Sequence, residues 1–235
     1  MNLQLRARRR RAVPPMIVSA VIAVVITTMS LAAAGTARAD DDVSVGVPQW
    51  SGLDVTAYRG PVPLRAGTLI ASVPLARSLN LPDAGAAYRI QFSSLDQHHR
   101  MATSTGAVFL PKDAPPRGGW PVISWAHGTV GMADQCTPSA FPRSARDQKY
   151  LGHWLQQGYA VVAADYVGLG TPGLMAYLNG VTAAHSIVDV VVAAAQMRLP
   201  LARRWAIIGQ SQGAAAALNG CLLYTSPSPR DRTRS

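Results

Sequence analysis

The chain has 235 residues, of which 49% are hydrophobic and 14% charged, enough for one large domain or two small ones and too apolar for a disordered chain. Its formal charge of +10 points at first to a polyanion binder, but nine of the 22 basic residues lie within 1–39 and 221–235, and the remaining 13 stand against 11 acidic residues. A net of only +2 over residues 40–220 excludes a polycationic nucleic-acid binder.

Residues 1–39 have the layout of a secretory signal peptide. Arg6 and Arg8 to Arg11 precede the apolar run 16–34 (MIVSAVIAVVITTMSLAAA), and Ala37-Arg38-Ala39 forms a small-x-small cleavage site. The run is long enough for an uncleaved membrane anchor, but its Ala, Ser and Thr content and the cleavage site favour removal. The mature chain then starts near Asp40, secreted or held at the cell envelope, in an oxidising compartment. Arg10-Arg11 permits a twin-Arg export route.

The first extended segment is 68–73. Residues 87–95 (AYRIQFSSL) and 101–110 (MATSTGAVFL) flank a polar turn, 96–100, and read as a β-hairpin. After the breaker 111–119, the apolar run 121–126 (PVISWA) is a buried strand leading into His127-Gly128-Thr129. Residues 146–157 are helical in pattern and end at Gly158; 159–165 (YAVVAAD) is a second buried strand; 181–197 is a longer apolar helix; and 204–209 (RWAIIG) is a third buried strand. A hairpin followed by alternating strands and helices specifies an α/β domain with a mostly parallel sheet.

Gly209-Gln210-Ser211-Gln212-Gly213 lies between that last strand and the helix that follows. A serine on so sharp a turn is thrust out at the carboxyl end of the sheet, and Gly209 and Gly213 leave room for the neighbouring chain. Ser211 is the expected nucleophile. The oxyanion that forms on attack needs backbone donors: Gln212 N–H is the first, and Thr129 N–H, with Val130 next in line, is the second. A serine nucleophile also needs a base. In this architecture the order along the chain is Ser, acid, His, yet His98, His99, His127, His153 and His185 all precede Ser211. The only later carboxylate is Asp231. No complete triad can be drawn. His127 and Asp165 read as residues bracing loops, and His153 and His185 as packing or surface residues. His98 and His99 have no ligand partners at zinc spacing, so no metal is expected, and no cofactor signature is present. Cys136 stands alone before residue 221, which in a secreted protein calls for a disulfide partner, with a buried free thiol as the alternative.

Residues 221–235 (CLLYTSPSPRDRTRS) break the Ala-rich helical pattern with a Ser/Pro/Arg string. Residues 221–231 resemble the conceptual translation of a transposase adapter used in sequencing libraries. The expectation is a non-native tail after Gly220, with residues 40–220 as the amino-terminal part of a single domain; a genuine disordered tail is the alternative.

Taken together, residues 123–129 (ISWAHGT), 134–139 (DQCTPS), 158–166 (GYAVVAADY), 168–173 (GLGTPG) and 209–213 (GQSQG) resemble the secretory lipases of the α/β-hydrolase superfamily. The likeness covers residues 60–220. It implies an α/β-hydrolase fold and a secreted serine carboxylester hydrolase, a triacylglycerol lipase acting on acyl esters or lipids through Ser211. The family's acid and histidine map to no residue here, so the chain as it stands is expected to be inactive. Val167 replaces a frequent Glu, and Ala214 a frequent second Gly. Three further readings remain open: a cell-envelope acyltransferase, in which a hydroxyl replaces water, a non-catalytic secreted binding module of the same fold, and a peptidase, since fold does not fix substrate.

Overall fold

The computed structural model describes residues 47–224; the expected signal segment and residues 225–235 lie outside the described residues. Six strands form one sheet: β1 (Leu69–Pro74), β2 (Ala84–Leu95), β3 (Met101–Pro111), β4 (Trp120–Ala126), β5 (Ala160–Ala164) and β6 (Leu201–Gly209). Among the described residues three α-helices accompany them: α1 (Ala145–Gln156), α2 (Gly180–Ala194) and α3 (Gln212–Tyr224). The hairpin appears where the polar break placed it, with Leu95 opposite Met101 and the turn closed by Asp96 Oδ1, which accepts from His98 N and Arg100 N.

The spatial order is β1-β2-β3-β5-β4-β6. β1, β2, β3 and β5 pair antiparallel in succession, and β4 pairs parallel with both β5 and β6. Hence β2, β4, β5 and β6 all run the same way and end at one edge of the sheet. Because successive side chains point to opposite faces, β5 serves two cores at once. Ala160, Val162 and Ala164 join Ile187, Val190 and Ala194 of α2 on one face, while Val161 and Ala163 meet Leu151 and Leu155 of α1 on the other. All five strand residues are buried, which is why the segment reads as an unbroken apolar run.

The third strand departs from expectation. Residues 204–209 were expected to be buried, yet β6 is an edge strand among the described residues, with Arg203 to Ala206 exposed and Trp205 39% accessible. Its apolar pattern is that of a strand flanked on both sides, but only β4 lies beside it. α3 likewise carries exposed Leu218. The helix also continues past Gly220 to Tyr224, four residues beyond the point where the sequence pattern breaks.

Candidate active site

Ser211 occupies the turn between β6 and α3 with φ +54°, a left-handed conformation rare for a residue with a Cβ, and it is exposed. The turn is possible because its flanks are bare. A Cβ on Gly209 would overlap the carbonyl of Gly213, and one on Gly213 would overlap the carbonyl oxygen of Ala126 at the end of β4. Gln210 N–H bonds that same Ala126 oxygen at 3.2 Å, so the elbow is clamped to β4. Ala214 N–H then bonds Ser211 O at 2.9 Å, which starts α3 immediately behind the serine and turns the helix's positive end toward it.

The loop after β4 closes over this turn. Gly128 lies against Gln210, whose Oε1 also accepts from Arg146 Nη2 of α1 at 3.2 Å. Thr129 Oγ1 donates to Gln212 Oε1 at 3.3 Å. Thus Thr129 and Gln212, 83 positions apart, are brought together beside Ser211. Among the described residues, neither Thr129 N–H nor Gln212 N–H has a hydrogen-bond acceptor. Two unengaged backbone donors next to an exposed hydroxyl can receive an oxyanion.

His127 and Asp165 sit below this surface. His127 is buried, its ring stacked on Tyr166 at 4.2 Å, with Nδ1 2.6 Å from Gly128 O and Nε2 3.3 Å from Asp165 O. Burial pulls its pKa down, against the backbone carbonyls and the nearby Asp165, which favour the charged ring. Both nitrogens face backbone carbonyls and neither faces the serine. Asp165 accepts from Ser139 N at 3.0 Å, from Ser139 Oγ, and from Thr105 Oγ1 at 2.8 Å. Those two hydroxyls in turn accept from buried Arg89, at 2.8 Å from Nε and 3.3 Å from Nη2. This hydroxyl-relayed ion pair joins the hairpin, residues 137–140 and the end of β5.

The two remaining motifs interlock. Asp134 Oδ1 accepts from Gly170 N at 3.1 Å, and Thr137 packs where a Cβ on Gly170 would stand. Val167, in place of a frequent Glu, is buried and donates its N–H to Ser186 Oγ at 3.3 Å. Cys136 is half-buried with Gly131 against its Sγ. The other histidines lie elsewhere: His98 and His99 in the hairpin turn, His153 against Trp154 on α1, and His185 on α2. Among the described residues no histidine hydrogen-bonds Ser211, and no group of three ligating side chains could hold a metal. A cleft of about 300 Å3, walled by Trp125, Tyr150 and Ile208, opens beside Gln210, but Ser211 does not line it.

No protein-family model matches the chain, and no curated protein matches it in sequence. Solved structures do resemble it. Candida antarctica lipase A in its closed state matches with a TM-score of 0.56 and 22% identity over 72% of this chain and 43% of that one. A second structure of that lipase gives 0.57 and 20% over 69% and 40%. The ligand-bound rice cell wall degrading esterase LipA from Xanthomonas oryzae gives 0.52 and 24% over 66% and 45%. The chain therefore spans less than half the length of each of these proteins. The six-stranded order, the two-sided helical cover and these likenesses identify the α/β-hydrolase fold.

Proposed function

We propose that this chain carries the nucleophile of a secreted serine carboxylester hydrolase, a triacylglycerol lipase acting by acyl transfer through Ser211. The observation that carries this reading is the geometry of the turn: an exposed serine hydroxyl at φ +54°, bare glycines on both sides, and two unengaged N–H groups at Gln212 and Thr129. Ser211 Oγ attacks the ester carbonyl and loses its proton to a histidine. The oxyanion rests on Gln212 N–H and Thr129 N–H. The alcohol departs with that proton, and water then repeats the sequence on the acyl-enzyme to release the acid. The reading requires a histidine to take that proton, and among the described residues no histidine hydrogen-bonds Ser211.

Lipases and esterases among the structures of similar fold support the ester as substrate class. The reading is tested by hydrolysis of esters of graded acyl length with the protein expressed from its complete reading frame, with and without added acceptor alcohols. Free fatty acid as the main product supports it. Transfer to the alcohol in preference to water makes the protein an acyltransferase, and absence of turnover on every ester makes it a binding module.

A further inference from the structure

The segment between β5 and α2 contributes a side chain to the elbow that no sequence pattern marks. Tyr177 is exposed, and its hydroxyl lies 3.1 Å from Thr129 Oγ1, the same oxygen that donates to Gln212 Oε1 at 3.3 Å. Thr129 has a single hydroxyl hydrogen. Given to Gln212, it leaves only lone pairs for Tyr177, so the phenol is the donor. The result is one directed chain, from Tyr177 O–H to Thr129 O–H to the Gln212 amide oxygen. It ties together the segment after β5, the loop after β4 and the first residue of α3.

Tyr177 is itself held in place. Leu178 takes a left-handed conformation at φ +60°, and Asn179 caps α2 by accepting from Thr182 N at 3.1 Å. The loop that Tyr177 grips has little packing of its own beyond Thr129, because Val130 is 41% and Met132 57% exposed. We infer that Tyr177 is a positioning residue for the oxyanion site: it touches no reacting atom, but through the Thr129 hydroxyl it fixes the spacing of the Thr129 and Gln212 N–H groups. This inference rests on the reading of Ser211 as nucleophile.

The test compares variants of the protein expressed from its complete reading frame on a soluble short-chain ester. Tyr177→Phe is expected to lower kcat about 5- to 50-fold with KM held within about twofold, since misaligned donors weaken transition-state binding alone. Thr129→Val should match it, Thr129→Ser should restore most of the rate, and the double variant Tyr177→Phe/Thr129→Val should be no slower than the worse single, because both changes cut the same chain. A Tyr177→Phe protein with kcat within twofold of the parent overturns the inference. So does a loss carried by KM, or a double variant whose losses multiply. Ser211→Ala, measured alongside, separates the two levels: retained turnover there removes the nucleophile reading, whereas a dead Ser211→Ala with a fully active Tyr177→Phe removes only the role of Tyr177.

Discussion

Gly213→Ala adds one methyl group at the point where the elbow presses on β4. The new Cβ would overlap Ala126 O and lie 2.5 Å from Ala126 C and 2.8 Å from His127 O. These are backbone atoms that cannot rotate aside, and Ala126 O is already bonded to Gln210 N–H while Ala126 pairs with Gly209. Relief requires the elbow to lift off the strand. Overpacking of this kind costs about 1–3 kcal/mol, and a wall of backbone puts it at the upper end. Alanine's helix preference, at most about 1 kcal/mol, offsets part of it, leaving a net loss of roughly 2 kcal/mol. For a domain of this size that lowers the melting temperature by about 4–8 °C. Lifting the elbow also moves Ser211 against its donors, and a displacement near 1 Å costs about 10²-fold in reactivity. The assay is thermal melting together with the rate of Ser211 phosphonylation by a fluorophosphonate, with Gly220→Ala as control. There the added Cβ meets the flexible tips of Ile207 and Ile187 at 3.2 and 3.7 Å and the Ala184 methyl at an ordinary 4.0 Å, with no backbone atom among them, and stability should hold or rise. Parental melting and labelling in Gly213→Ala would refute the account of the elbow.

Two further outcomes follow from the buried charges. Asp165→Asn should destabilise the fold by about 3–5 kcal/mol in urea titration, because buried Arg89 and Arg143 lose the carboxylate that offsets their burial; a variant of normal stability that has lost only turnover would recast Asp165 as a catalytic acid. Asp189, buried on α2 with Ser94 Oγ donating at 2.8 Å, has its carboxyl pushed up to about 6 by burial. The folded state therefore holds this proton more tightly than the unfolded chain, so its contribution is fully present below about pH 4 and is lost as pH rises through about 6. Asp189→Asn keeps an acceptor for Ser94 and should be more stable than the parent by roughly 3 kcal/mol at pH 8 and equal to it near pH 4; parallel stability curves across that range would contradict it.

β4, β5 and the hairpin were legible because a strand covered on both faces is apolar throughout and a polar break between two extended runs leaves few alternatives. The elbow was legible because the glycines around Ser211 answer a local steric demand. The exposure of β6 was not, since residue type along a strand records the neighbours it is suited to and not those present. Arg89 was equally opaque: no local pattern marks this strand arginine as buried, yet it is, because Ser139, from a distant loop, and Thr105 accept from it. Tyr177 meets Thr129 across 48 positions through a hydroxyl contact that leaves no periodic trace.

The most direct measurement is mass spectrometry of the protein after reaction with a fluorophosphonate and, separately, during turnover of a slow ester. Ser211 as nucleophile requires one adduct per chain, on the peptide containing Gly209 to Gly213, and loss of about 10⁶ in kcat on Ser211→Ala. An adduct on another residue, or a Ser211→Ala protein that hydrolyses esters at the parental rate, contradicts it.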